Sequence, residues 1–389
     1  MWQALWLLLP LAALSGWWIG RRSTTSAAPT PRLPADYFQG LNYLLNEQPD
    51  RAIEVFTRMV EVDSETVETH LTLGNLFRRR GEADRAVRIH QNLIARPSLT
   101  PEQRAAALVE LGRDYLAAGL LDRAETLFTE VMEFPDYRAQ ALQSLLEIYQ
   151  QEGEWEWAIA TAQRLQRADG RQLQTEIAQF ACEQVERLRR HHGEPSAIRQ
   201  TLRRALQLDR HCVRASLLKA DLERDQGRWR AVIKAGQAVK HQDPAYIPEV
   251  LPRLETAYAA VNDRRGFRDE LRRLLERHPT VSVIIKLSEL IEADEGREAA
   301  VEFLATQLRE RPSVRGLNRL IELNIQDDDM DQHRHRDLKV LREGFQALLA
   351  DRLPYRCVAC GFGGRQLHWQ CPSCRAWATI KPRRGLEGE

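Results

Sequence analysis

Apolar and polar residues follow three regimes along this chain of 389 residues. From Met1 to Gly20 no side chain is charged (MWQALWLLLPLAALSGWWIG). From residue 35 to residue 350 apolar residues recur every three to four positions, the signature of helices that bury one face. After Tyr355 that periodicity stops, and Cys, Gly, Pro and aromatic residues crowd together. The pattern predicts one long helical segment between two unlike ends, with strand signals nearly absent before Tyr355.

The helical segment carries a longer period. With Gly40, Gly74 and Gly112 in register, Tyr43, Phe77 and Tyr115 fall three positions later, and Ala52, Ala86 and Ala124 twelve positions later. The first spacing is 34 and the second 38, with four extra residues around Ala95–Gln103; the next unit returns to 34 and gives Tyr149, Gly153 and Ala158. This resembles the tetratricopeptide (TPR) pattern of paired antiparallel helices, in which small residues sit where two helices cross and large apolar ones fill the gaps between repeats. Gly81, Gly119 and Gly153 are expected to end first helices, where a tight turn needs a permissive backbone. Beyond residue 165 the pattern loosens. Gly227, Trp229 and Val232 mark one unit; Tyr258, Phe267, Leu271 and Pro279 another; Ala300, Leu304, Leu308 and Pro312 a last one; and 166–213 reads as a variant helical repeat. The expected fold is all-α: a TPR superhelical solenoid of about eight repeats over 35–350.

Such an array offers a groove lined by the first helix of each pair. Asn75, Arg78 and Arg79 in the second repeat, Arg113 in the third, and Glu147 and Gln150 in the fourth are expected to point into it. An Asn/Arg pair on one helix face suits a peptide carboxylate or an acidic side chain. His70 and His90 occupy positions that pack inside, as core histidines with a satisfied hydrogen bond, and Cys182 and Cys212 read as buried thiols.

The ends carry different chemistry. Residues 1–20 at 1.5 Å each span about 30 Å, the hydrocarbon thickness of a bilayer. Arg21 and Arg22 follow at once and Trp17 and Trp18 sit at interfacial depth, so this stretch reads as an N-terminal transmembrane anchor with the body on the cytoplasmic side. A cleaved signal would carry its charge before the apolar run. Residues 21–34, rich in Ser, Thr and Pro, read as a linker. Residues 351–389 read as a small metal-binding module. Cys357-x2-Cys360 and Cys371-x2-Cys374 are two knuckles, each presenting two sulfurs, which together complete a tetrahedral four-thiolate site for iron or zinc. Gly361 and Pro372 suit the two turns. Tyr355, Trp369 and Trp377 flank the knuckles and are expected to build the module's core.

Composition bounds the function. Apolar residues make up 43% and charged residues 29%, so the chain folds. Lys+Arg 56 against Asp+Glu 55 gives a net charge of +1, which argues against a protein built to coat nucleic acid. The basic residues are nonetheless uneven: from Arg352 to Arg384 there are seven and no acid. No Gly-x-Ser-x-Gly, Walker-type loop, His-Glu-x-x-His or Rossmann glycine pattern is present, so no enzyme is expected. The run Asp327-Asp328-Asp329-Met330-Asp331 lacks the glycine and closing Glu of a calcium loop and reads as an interhelical turn.

Several strings carry a more specific resemblance: Gly20–Ser23 (GRRS), His70–Arg78 (HLTLGNLFR), Asp84–Gln91 (DRAVRIHQ), Gly112–Leu120 (GRDYLAAGL) and Cys371–Leu386 (CPSCRAWATIKPRRGL). With anchor, array and knuckles in this order, the chain resembles the lipopolysaccharide assembly protein B family. That resemblance implies an inner-membrane protein with a cytoplasmic TPR body and a rubredoxin-like module packed against it, its metal held by Cys357, Cys360, Cys371 and Cys374, with iron favoured. It implies a non-enzymatic adaptor for the membrane AAA protease FtsH that promotes degradation of the LpxC deacetylase, antagonised by a regulator of the PbgA/YejM type, and a scaffold for lipopolysaccharide enzymes. A homodimer stays open. Two other function classes stay in view: one-electron transfer at a rubredoxin-like iron, and nucleic-acid binding through the basic end. The ten residues between the knuckles are far fewer than in free-standing rubredoxins, which counts against the first.

Overall fold

The computed structural model describes residues 35–62, 67–325, 332–350, 352–386 and 388–389. The anchor and linker expected over 1–34 and the acidic run at 327–331 lie outside these. No helix of the described residues is long and apolar enough to cross a membrane. Among the described residues eighteen α-helices follow one another in nine consecutive pairs, against about eight repeats read from the sequence. The chain divides into two compact units, Met1–Ser144 and Leu145–Glu389. The knuckle region at the end belongs to the second unit.

The first unit holds α1 (Ala35–Leu45), α2 (Pro49–Val62), α3 (Val67–Arg79), α4 (Ala83–Ile94), α5 (Pro101–Ala117) and α6 (Leu121–Val131). The register glycines have a steric reason. A Cβ on Gly40 would lie 2.6 Å from the Phe56 ring, and one on Gly112 would lie 2.7 Å from Phe128; Gly74 is covered in the same way by His90. Each ring comes from the partner helix sixteen residues on, so glycine lets the two helices close over a fully buried side chain. The four extra residues before α5 are used in a capping box. Thr100 accepts the Gln103 amide at 3.2 Å while the Gln103 side chain accepts the Thr100 amide at 3.1 Å, and Pro101 opens the helix.

Helix α7 (Arg138–Glu152) contains the division between units. The second unit continues with α8 (Trp155–Asp169), α9 (Gln174–Arg190), α10 (Pro195–Leu208), α11 (Val213–Asp225), α12 (Trp229–Gln242), α13 (Ile247–Ala260), α14 (Arg264–Arg277), α15 (Val281–Glu295), α16 (Arg297–Glu310), α17 (Val314–Ile325) and α18 (Gln332–Ala350). Its core runs through Val239, Ile247, Leu254, Leu271, Leu287 and Leu304.

One turn recurs through the array. In seven of the nine pairs an amide donates to the carbonyl five residues earlier: Gln48 to Tyr43, Glu82 to Phe77, Leu120 to Tyr115, Glu154 to Tyr149, Gly193 to Leu188, Arg228 to Glu223 and Asp263 to Tyr258, at 2.7–3.0 Å. The residue before each donor is left-handed. Gly81, Gly119, Gly153 and Gly227 fill four of these positions, but Glu47 (φ 56°), His192 (φ 54°) and Asn262 (φ 55°) fill the others. This is the closing turn of a helix that ends on a left-handed residue.

The C-terminal module is a three-stranded antiparallel sheet in the order β2-β1-β3, with β1 Tyr355–Cys357, β2 Gly363–Gly364 and β3 Ile380–Pro382. Among the described residues the expected all-α array therefore holds over 35–350, and the small module expected beyond it is built on this sheet.

Candidate metal centre

Backbone bonds fold each Cys-x-x-Cys into a knuckle. In the first, the Cys357 amide donates to Phe362 O at 2.8 Å and the Gly361 amide to Cys357 O at 3.0 Å. In the second, the Cys371 amide donates to Ala376 O and the Arg375 amide to Cys371 O, both at 2.9 Å. The residue after each second cysteine is left-handed: Gly361 at φ 80° and Arg375 at φ 57°. The sequence advertised the first with a glycine and concealed the second.

The four sulfurs lie within 4.8 Å of one another. Cys357 Sγ is 3.8 Å from Cys374 Sγ and Cys360 Sγ is 3.6 Å from Cys371 Sγ. Metal–sulfur bonds of about 2.3 Å around a tetrahedron place sulfurs about 3.8 Å apart, so the donor set fits one thiophilic ion. Cys357 and Cys371 are buried and Cys360 and Cys374 exposed. An ion held there would tie both knuckles and the sheet into one body; among the described residues no other such cluster of cysteine, histidine or acidic side chains occurs.

The thiols do not ionise alike on their own. Burial works against the Cys357 thiolate, but Thr379 and the backbone amides of Cys360 and Ala359 outweigh it and bring Cys357 down to about 6. At Cys374 the Ala376 amide favours the thiolate, but desolvation and the sulfurs of Cys360, Cys371 and Cys357 prevail and push it up to about 11. Metal uptake must displace the proton of Cys374 throughout the neutral range, and that of Cys357 as well below pH about 6. Apparent metal affinity is therefore expected to rise with pH and to drop more steeply below that point, by about tenfold per pH unit for each proton displaced. Competition with a chelator across a pH series measures this; a flat profile refutes the four-thiolate assignment.

Of the three flanking aromatics, Tyr355 packs against the module's interior as expected, while Trp369 and Trp377, contrary to expectation, turn outward and dock the module on the second unit's helices. The module's own interior is Cys357, Cys371 and Ile380 with Tyr355, Phe362 and Leu367 against it. Trp377 Nε1 donates to Gln150 Oε1 at 3.1 Å, and its ring meets Phe180 edge-on at 5.6 Å and Trp155 at 6.3 Å. Trp369 stacks on Tyr246 at 5.5 Å, with the Arg214 guanidinium carbon 5.8 Å from its ring centre. Tyr246 Oη donates to the Ile380 carbonyl at 2.8 Å, and Tyr355 Oη donates to Glu249 at 2.6 Å. Burial, chiefly, pushes both phenols up, so both stay protonated donors. Lys381 pairs with Asp243 at 2.7 Å. The Glu389 carboxylate accepts from the Ser282 amide and hydroxyl and from Arg315.

Arg214 is the residue sequence reading missed most completely. It is 2% exposed and pairs with Glu183 at 2.8 Å and Glu186 at 2.7 Å. Nothing in the order of residues distinguishes it from the many other arginines. Tyr246, in the Pro244–Tyr246 turn, was equally silent.

The residues expected in the groove separate. Arg78 is tied to Asp114 and Glu110, both at 2.6 Å, and to Asn75 Oδ1 at 2.6 Å, and is one-fifth exposed; it lies inside a network between repeats, not free in a groove. Arg113 braces Glu110 at 2.6 Å, and Arg79 is exposed. Glu147 and Gln150 both face the docked module, Glu147 with Arg375 at 3.8 Å. His90 is fully buried with Nδ1 2.5 Å from Asp114, and His70 Nε2 lies 2.8 Å from Arg96, as core histidines should. Cys182 and Cys212 are buried, as expected, but are not isolated: their sulfurs lie 3.9 Å apart.

The fold and the site together define a helical repeat protein that carries a docked four-cysteine metal-binding module. Residues 355–382 match the family described as Rubredoxin metal binding domain. The whole chain is 39% identical to lipopolysaccharide assembly protein B of Escherichia coli (strain K12), covering 100% of each. It is 38% identical to the protein of that name in Haemophilus influenzae, covering 98% of each. The chain belongs to the lipopolysaccharide assembly protein B family. Among solved structures, a tetratricopeptide repeat protein from Parabacteroides merdae ATCC 43184 aligns over 79% of this chain and 97% of its own at 12% identity, with a TM-score of 0.29; the repeat architecture here rests on the chain's own turns and packing.

Proposed function

We propose that this chain is a non-enzymatic adaptor at the inner membrane that regulates lipopolysaccharide synthesis by presenting LpxC to the FtsH protease. The observation that carries the reading is full-length membership of a family named for lipopolysaccharide assembly, joined to a body whose polar and aromatic chemistry is spent on holding helices and module together. The run Met1–Gly20 anchors the chain, and Arg21 and Arg22 keep the array and module on the cytoplasmic side. Fixing adaptor and protease in one membrane raises their effective concentration without any new contact. A PbgA/YejM-type regulator opposes the adaptor there, and the chain also serves as a scaffold for other lipopolysaccharide enzymes. The metal is iron. Its part is structural: it holds the knuckles in the shape that docks on the array.

Depleting the chain in its own cell is expected to lengthen the lifetime of LpxC and raise lipopolysaccharide. Unchanged LpxC turnover overturns the reading. Electron transfer draws on one observation, the exposure of Cys360 and Cys374; zinc in the natively purified protein removes it. The nucleic-acid reading loses its stacking platform, because Trp369 and Trp377 face the helices.

A further inference from the structure

The aromatic side of the module is covered, but another side is open. Beside β1 and β3, against the Pro244–Tyr246 turn, lies a cleft of about 780 Å³. Four cations line it, Arg356, Lys381, Arg383 and Arg384, against a single carboxylate, Asp243. That carboxylate is already in use: Oδ2 takes Lys381 at 2.7 Å, and Oδ1 accepts the Ala245 amide at 2.9 Å. Among the described residues Arg356 and Arg384 have no acidic partner. This is where the uneven, acid-free stretch of the sequence gathers.

Register makes the arrangement costly. Arg356 on β1 stands directly opposite Lys381 on β3. Like charges directly opposite in an antiparallel pair destabilise it, and Asp243 relieves only the lysine. Arg356 also lies back over the first knuckle, its Nη2 3.6 Å from where a Cβ on Gly361 would be, which places the guanidinium beside the cleft's Gly361 wall. A concave site with a net excess of one sign of charge, here four cations to one carboxylate, focuses its field on an incoming counter-ion.

We propose that this cleft binds a phosphomonoester group, with Arg356 and Arg384 sharing its two negative charges. A guanidinium offers paired N–H groups to a phosphate in a way that a point charge cannot. The cleft has the volume of a site for a small organic molecule, so the group arrives on a carrier, either a soluble organic phosphate or a lipid headgroup ending in a phosphomonoester. This inference is independent of the adaptor reading.

The test uses the full, metal-loaded chain and two probes: sn-glycerol 3-phosphate followed by calorimetry, and phosphatidylcholine vesicles doped with phosphatidic acid followed by co-sedimentation. Saturable binding that inorganic phosphate competes away is expected for at least one probe. Arg356→Gln and Arg384→Gln are each expected to weaken it about tenfold, the effect of losing one charge-assisted hydrogen bond. Arg365→Gln, an exposed arginine of the module outside the cleft, should leave it unchanged. Binding of glycerol phosphate points to a soluble ligand; binding of the vesicles alone points to a lipid. Metal content is measured for every variant, so loss of the module is not mistaken for loss of the site. If the wild-type chain binds neither probe saturably, or if Arg365→Gln weakens binding as much as the cleft variants, the proposal is overturned.

Discussion

Replacing Cys371 with serine is expected to remove the metal and release the module from the helices, the largest single effect in the second unit. Cys371 is 1% exposed, its sulfur is 3.6 Å from that of Cys360, and its backbone closes the second knuckle. Metal binding at sites of this kind is folding energy, about 10 kcal/mol or more in small zinc modules. The three-stranded sheet is too small to replace it: β2 has two residues and β1 and β3 three each. Once the knuckles open, Trp377 leaves Gln150 and Phe180, and Trp369 leaves Tyr246. Metal analysis should show less than one ion per chain. Limited proteolysis should cut beyond residue 350 while the helices resist, and the fluorescence of Trp369 and Trp377 should shift toward that of exposed indole. A variant that keeps its metal and its protease resistance refutes the site. The same variant separates two roles of the module: if LpxC turnover responds to it as it does to depletion, the docked module is part of the adaptor surface, and if turnover is unaffected, the helices act alone.

That docking surface could not be read in the sequence, although both of its halves could. The four cysteines are local, and their spacing alone defines the chemistry. The register of the first three repeats is local too, because Gly40, Gly74 and Gly112 each mark a place where a ring covers the backbone. Recognition faded beyond residue 165 for a physical reason. The closing turn needs a left-handed residue, not a glycine as such, and His192 and Asn262 meet that need in the later repeats as Glu47 does in the first. The backbone repeats where the letters do not. Docking partners are a harder case. Gln150 and Trp377 are 227 residues apart and Tyr246 and Ile380 134, and no periodicity links them. Arg214 is harder still, since a buried arginine looks like a surface one until Glu183, Glu186 and Trp369 are placed around it.

In the first unit, Asp114→Ala is expected to cost about 3–5 kcal/mol, the range for breaking a buried ionic network by removing one partner. Asp114 has no exposure; Oδ2 meets His90 Nδ1 at 2.5 Å and Oδ1 meets the Arg78 guanidinium at 2.6 Å. The network exists because the second repeat places a histidine where its neighbours place Phe56 and Phe128 against a glycine. A ring with two nitrogens needs a polar partner in the core, and the next repeat supplies it from the helix position two after Gly112. With the carboxylate gone, His90 loses the only partner its ring has among the described residues, where Nε2 makes no hydrogen bond, and Arg78 keeps Glu110 alone of them as an acidic partner. Removing both ends should cost less than the sum of the single losses. In Asp114→Ala with His90→Phe the ring regains the packing used in the neighbouring repeats and no buried nitrogen is stranded. Denaturant unfolding and hydrogen exchange over α3 to α5 measure the single and double variants. Strictly additive losses would mean that His90 and Asp114 are not coupled. A double variant more stable than Asp114→Ala is the expected result, and it would show that the second repeat keeps the steric plan of the array and adds a charge pair to carry its histidine.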